Sequence, residues 1–389
     1  MLAKVLAKLL SIYYSKCPLR IKGYYINSEQ KPKGTVLVSY LSEPLTWKPG
    51  DRRFLGHSNA WESSEIVRIL NSLGYRVDVI KWNDVGFVTH NTYSAIFDIH
   101  NNLTRYGSSE VPRLFHVTTS DPIFSNSAAL QRVADLKERR GCEVRSHRAI
   151  PDDEVEMFQR NLVAADVISF LGNKATASTF PETIRSKFRF VPVTGSYLSW
   201  HRDPRKTTFA NEFLWYGGFG AVHKGLDLTL EVFARHPELI LHVVGPYLKE
   251  KDFTRAYYRE LKFCPNIVSH GFLFPSSDRF RTLTKRVKAF ILPSCSESAS
   301  TAAVTCMQYG LFPVVSDNCG IDVDDSMGIR LHTCSIDEIE QAVLSLCSTP
   351  NKSMCQMTLN AQKYALKVFS QEAFRERMHS VLSEVLQHA

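Results

Sequence analysis

AFILPSCSESASTAAVTCMQYGLFPVVS, residues 289–316, is the stretch whose reading decides the fold. An apolar run ends at Pro293, and a small-residue segment follows with a single acid, Glu297. A helix-like run then reaches Met307, and Gly310 precedes a second apolar run at 313–315. The pattern predicts strand, loop, helix, strand, the repeating unit of a parallel sheet. Glu297 then lies just beyond the carboxyl end of the first strand, where open α/β sheets bind ligands. A helix beginning at 298–301 turns free N–H groups toward that crevice and favours an anion. A βαβ unit with a merely solvated glutamate fits the same pattern, so the stretch alone leaves both readings open.

The alternation continues on both sides. Strands are expected at 213–216, 240–244, 267–271 and 328–331, with helices at 226–235, 253–261, 279–286, 335–347, 353–369 and 371–386. Ser335 is placed to cap its helix, with Glu338 as the return half of a capping box. In the first half, strands are expected at 35–40, 76–80, 93–99, 113–118, 142–146, 167–170 and 188–193. Helices are expected at 60–73, 127–140 and 153–164. Short strands between helices mean parallel sheets covered on both faces. The polar, basic segment 195–210 is the best boundary. The division is therefore an extension at 1–33, a first domain at 34–194, a linker at 195–210, a second domain at 211–369 and a terminal helix at 370–389. Two domains of roughly 150–190 residues also suit 389 residues.

The net charge of +8 sits largely at the amino terminus, where residues 1–33 carry seven lysines and arginines against Glu29 alone. Residues 1–16 interleave leucines with Lys4, Lys8 and Lys16. They suit either an amphipathic helix on an anionic membrane or one packed on the protein itself. With a terminal charge excess and no aromatic-basic platform, nucleic acid is not expected as a partner. No run approaches the roughly 18 apolar residues of a spanning helix, and residues 1–14 make a poor signal peptide. Nine cysteines without a CxxC pair read as core residues in a reducing compartment. A cytoplasmic protein, peripheral at most to a membrane, is the expectation.

Glycine and lysine recur where the second domain begins, in YGGFGAVHKG at 216–225. Gly217, Gly218 and Gly220 let backbone approach a ligand, and Lys224 is a mobile charge suited to phosphate. A further loop, VGP at 244–246, places Gly245 at a strand end. With the loop after residue 293, these suit a diphosphate held by amides and one lysine.

These motifs resemble those of the retaining nucleotide-sugar glycosyltransferases of GT-B architecture, the large family often called family 4. The resemblance covers the second half and implies two Rossmann-like domains facing across a cleft, with no metal and no cofactor beyond the nucleoside diphosphate sugar itself. It gives Glu297 hydroxyls of the donor sugar, and Ser298, Ala299, Ser300 and Thr301 the donor phosphates. It gives Lys224 the phosphates together with Gly218, Gly220 and Gly245, and Phe272 and Leu273 the base through their backbone. Two positions depart from the family: its second glutamate, which grips ribose, falls on Thr305, and its glycine-loop arginine falls on Gly218 or Phe219. A threonine hydroxyl can still reach ribose, but a bidentate phosphate clamp is missing.

The first domain is expected to hold the acceptor, with His57 and Asn59 ahead of its first long helix. The family's cleft histidine maps to Thr118, and His116 is either its displaced equivalent, a catalytic residue beside Glu297 and Lys224, or a satisfied core histidine. His100 could also line the cleft. Arg132, Arg139, Arg140 and Arg148 are candidates for an anionic acceptor. Asp322-Val323-Asp324 spells a DxD but is assigned no metal. The implied activity is transfer of a sugar from a nucleoside diphosphate donor to a hydroxyl of a glycan or lipid-linked acceptor, with retained anomeric configuration. A non-catalytic sugar- or glycan-binding subunit of the same fold is the alternative.

Overall fold

The computed structural model describes residues 18–27, 29–55, 58–196 and 200–387. The amphipathic segment 1–16 and His57 lie outside them. The first sheet contains β1 (Ile21–Tyr24), β2 (Gly34–Tyr40), β3 (Tyr75–Lys81), β4 (Ala95–Asp98), β5 (Arg113–Val117), β6 (Val167–Phe170) and β7 (Phe188–Phe190). Their order is β1-β3-β2-β4-β5-β6-β7. All pairs are parallel except β1 with β3. The second sheet contains β8 (Glu212–Tyr216), β9 (Ile240–Val244), β10 (Ile267–Gly271), β11 (Ala289–Leu292), β12 (Phe312–Ser316) and β13 (Ile329–Leu331). It is wholly parallel, in the order β10-β9-β8-β11-β12-β13.

That second order is the doubly-wound dinucleotide-binding arrangement, with its reversal between β8 and β11. In the first sheet the chain reverses between β2 and β4. Both switch points open at carboxyl ends of strands, and these ends face one another. Central strands are buried on both faces, as in β11, where all four residues of AFIL are buried. Trp215, Phe213, Phe233 and Phe290 fill the second core, each essentially inaccessible.

Interdomain contacts are extensive and charged. The helix Pro122–Arg140 aims three arginines across the boundary. Arg132 donates to the Pro293 carbonyl (2.9 Å), Arg139 pairs with Asp227 (2.8 Å) and Arg140 pairs with Glu260 (2.8 Å). These three therefore hold the domains together and are not acceptor ligands. The last helix, Gln371–Leu386, returns to the first domain, where Arg375 meets Glu65 (2.6 Å), Arg189 meets Glu384 (2.6 Å) and Phe374 packs edge-on against Trp61. In the linker, Arg202 is buried and donates to the carbonyls of Thr284 and Val287, and burial pulls its pKa down to about 9.

Several expectations are corrected. Residues 142–146 form no strand, because the chain leaves the sheet and the Arg145 amide donates to Asp252 of the second domain (2.9 Å). The helix expected at 253–261 is two, Lys251–Ala256 and Tyr258–Phe263, broken at Tyr257, whose hydroxyl donates to Glu231 (2.6 Å). Ser335 caps its helix, but Glu338 does not close the box. Its carboxylate takes the amides of His332, Thr333 and Cys334 instead. β1 is a strand that the sequence pattern does not predict.

Candidate functional site

A cleft of about 520 Å³ lies between the carboxyl edges of the two sheets. Tyr40, Ile99, Thr118 and Leu171, each at or just past the end of β2, β4, β5 or β6, line one wall. Gly218, Phe219, Lys224 and Glu297–Thr301 line the other. The stretch 289–316 supplies the centre of the second wall.

Lys224 is set by its own loop. Its amide donates to the Gly220 carbonyl (2.9 Å), and its carbonyl accepts from the Trp215 indole (3.1 Å). Gly225 follows at φ +67, where a Cβ would lie 2.6 Å from the Pro293 carbonyl oxygen. That close approach brings the lysine against the end of β11, and its ammonium forms an ion pair with Glu297 Oε1. Ser294 Oγ donates to the same oxygen (2.9 Å). Burial by itself would raise the Glu297 pKa. Lys224 and Arg148, joined by His223 in the acid range where it too is protonated, outweigh that and pull it down to about 2, so the carboxylate stays charged at neutral pH. His223, buried beside it, is pushed down to about 4 chiefly by desolvation and is neutral. Its Nε2–H donates to the Ser296 carbonyl (2.5 Å).

The helix Thr301–Tyr309 opens toward the cleft, with Ser300 as its N-cap accepting from the Ala303 amide (3.3 Å). Not every expected amide faces a ligand. The Ser300 amide donates to Cys319 O (2.9 Å), and the Gly220 amide donates to buried Glu250 (2.8 Å). Among the described residues, no protein acceptor takes the amides of Ala299 and Thr301. Gly245 is not on the wall. A Cβ there would meet Gly217 O at 2.5 Å, so it serves close packing beneath the glycine loop. Phe272 lines the cleft, whereas Leu273 turns into the core. Thr305 reaches the cleft, but its hydroxyl donates to Thr301 O (2.7 Å) and accepts from the Ser196 amide (2.9 Å), tying helix to linker.

His116 is corrected. It is fully buried within β5, against the rings of Tyr40 and Phe97, with Nδ1 2.8 Å from Ser169 Oγ, and burial lowers its pKa to about 3. Thr118, two residues on, faces the cleft instead. The unfolded chain takes a proton below pH 6.5 and the folded one does not until about 3, so stability is lost as pH falls through that window. His116→Gln is expected to flatten part of the drop in urea midpoint between pH 7.5 and 5, and an unchanged drop would contradict the burial argument. His223 acts in the same direction.

Glu62, which the sequence did not single out, also lines the cleft. It is 1% exposed and held by the Thr194 hydroxyl (2.7 Å), and burial pushes its pKa up against those hydrogen bonds. Asn59 lines the same wall, while His100 is turned aside, its ring against Trp82. The DxD carboxylates are engaged elsewhere, Asp322 with Asn173 (2.8 Å) and Asp324 with Ser326 (2.6 Å). Among the described residues, no group of three or more His, Cys, Asp and Glu is arranged for a metal. No described helix is long and apolar enough to cross a membrane.

Two parallel-sheet domains with facing carboxyl edges and one cleft between them define the GT-B class of fold. Residues 200–382 match the family model described as Glycosyl transferases group 1. Sucrose-phosphate synthase from Thermosynechococcus elongatus superposes with TM-score 0.63 at 11% identity, over 92% of this chain and 100% of that one. Anabaena Alr3699/HepE, solved with UDP and glucose, gives 0.55 at 12% over 90% and 100%. WaaG, a glycosyltransferase involved in lipopolysaccharide biosynthesis, gives 0.53 at 13% over 91% and 98%. The chain spans only half the length of TarM, which it matches over 71% of its own residues at 12% identity and TM-score 0.49. Comparison with curated protein sequences found no match. The matched domain and the shared fold together support a GT-B glycosyltransferase.

Proposed function

We propose that this protein transfers a sugar from a nucleoside diphosphate sugar to a hydroxyl of a glycan or lipid-linked acceptor, retaining the anomeric configuration. The observation that carries this reading is the charged Glu297 paired with Lys224 at the switch point of the second sheet, beside a helix amino terminus. Glu297 orients the donor sugar ring through its hydroxyls. Lys224 and the amides of Ala299 and Thr301 stabilise the charge that grows on the leaving diphosphate. The bond from the anomeric carbon to the phosphate oxygen breaks as the bond to the acceptor oxygen forms on the same face. The acceptor proton passes to the departing phosphate. Of the two carboxyl groups that the described residues place on the cleft walls, Glu62 is tied to Thr194 in the first domain and Glu297 to Lys224 in the second, so neither is presented as a free nucleophile for double displacement. Domains held against each other keep water from the donor.

A panel of nucleoside diphosphate sugars, read by thermal shift and then by NMR of the anomeric proton in the product, tests the reading. One donor should raise the melting temperature and yield a product with the donor's own configuration. No stabilisation at millimolar donor would overturn the donor site, and an inverted product would overturn retention. The Thr305 hydroxyl, engaged within the protein, favours a second reading, a sugar-binding subunit without turnover. Binding without product from any acceptor would select it.

A further inference from the structure

The cleft has a charge deficit. Among the described residues, Lys224 and Arg148 are the two cations on its walls, and Lys224 is already paired with a deprotonated Glu297. His223 behind them is neutral. A bound diphosphate would therefore meet one neutralised lysine, helix amides and Arg148.

Arg148 belongs by sequence to the first domain, yet its loop is docked on the second. Asp252 fastens it, accepting from His147 Nε2 (2.6 Å) and from the Arg145 amide (2.9 Å), while the Phe219 ring of the glycine loop meets His147 edge-on at 5.6 Å. The stem of Arg148 lies across Gly220, where a Cβ would come within 2.6 Å of its Cγ and Cδ, so that glycine, at φ +94, makes room for the arginine. Among the described residues its guanidinium has no hydrogen-bond or ion-pair partner, although its field reaches Glu297 and His223. A planar, permanently charged fork at this place matches two phosphate oxygens.

We propose that Arg148 is the diphosphate clamp of the donor site, delivered across the domain boundary by the docked loop 145–148. This rests on the donor reading above and deepens it. The donor site is then composite, complete only while the first domain sits on Asp252 and the glycine loop. An arginine absent from the glycine loop itself is supplied from the opposite domain.

The test is binding of UDP and GDP, each against its own nucleoside, by calorimetry on the full chain and on Arg148→Ala and Arg148→Lys. If neither diphosphate binds the unmodified protein, the donor reading itself fails. If one binds, Arg148→Ala should weaken it about 10- to 100-fold, the value of one or two hydrogen bonds to a charged group. Nucleoside binding should change less than about twofold, and Arg148→Lys should recover part of the loss. Undiminished diphosphate binding by Arg148→Ala overturns the proposal. Equal losses for diphosphate and nucleoside also overturn it, since they would mean that the substitution disturbs the cleft as a whole. The residue is exposed, so both variants should melt as the parent does.

Discussion

Glu297→Gln is expected to lower kcat for sugar transfer by about 10²–10³, the usual effect of removing one preorganised electrostatic group from a reacting centre, while a nucleoside diphosphate still binds. The glutamine has the same shape and keeps an oxygen for the Ser294 hydroxyl, but it withdraws the carboxylate that orients the sugar and balances Lys224. Released from its partner, the ammonium is free to meet phosphate, so diphosphate affinity should hold or rise even as turnover falls. Glu297→Ala should be harsher to the fold, because it strands a largely buried ammonium, and breaking such a pair costs about 3–5 kcal/mol. The acid side follows from the lowered pKa. With about 2 in the folded chain against 4.5 in the unfolded one, Glu297 contributes its stability above pH 4.5 and loses it as pH falls through 2. Glutamine should remove that part of the acid limb. Folded Glu297→Gln protein with unaltered turnover would end the catalytic role of this residue.

What the sequence reveals of a residue's place depends on what that residue faces. The strands of the second domain are legible because a parallel sheet covered by helices buries both faces, and unbroken apolar runs such as AFIL say so directly. β1 is not legible. IKGY contains a lysine and a glycine at positive φ, and it becomes a strand only through pairing at the edge of β3. Glu62 reads as part of a solvated polar face in WESSE, yet nearly the whole helix Ser58–Ser72 is buried. Trp61 meets the returning terminal helix at Phe374, and Ser58, Asn59 and Glu62 border the cleft. The arginines at 132, 139 and 140 share a helical face, but nothing local reveals that the face meets Asp227, Glu260 and the end of β11. Hydrogen-bond competition is equally hidden. The amides of Gly220 and Ser300 look available until Glu250 and Cys319 arrive from distant positions in the chain. The motif residues Glu297, Lys224 and Gly218 do converge on one cleft, since loops at a sheet's switch point are positioned by the sheet. His116 does not, because it lies inside β5, where the sheet is covered on both faces, and only Thr118, past the strand's end, reaches the cleft.

Gly320→Ala is expected to bring transfer to background and to destabilise the chain. Gly320 sits at φ +67 at the end of the turn after β12, and a Cβ there would lie 1.7 Å from Ser298 O and 2.9 Å from Ala299 Cα. Both are backbone atoms, so no rotamer change relieves the overlap, and either the turn or the donor loop must move. Moving the turn breaks Cys319 O from the Ser300 amide, and moving the loop breaks Ser298 O from Thr176 of the first domain (2.9 Å). A displacement near 1 Å costs about 10² in rate on its own, and the left-handed backbone adds about 1–2 kcal/mol against any residue with a Cβ. Gly141→Ala separates the two effects. It has φ +65 with nothing within 4 Å of a Cβ, so it should carry the backbone cost and keep full turnover. Urea unfolding and kcat/KM on both variants read the difference. If Gly320→Ala transferred sugar within severalfold of the parent, the donor loop would not be held by this turn, and the amides of Ala299 and Thr301 could not owe their position to it.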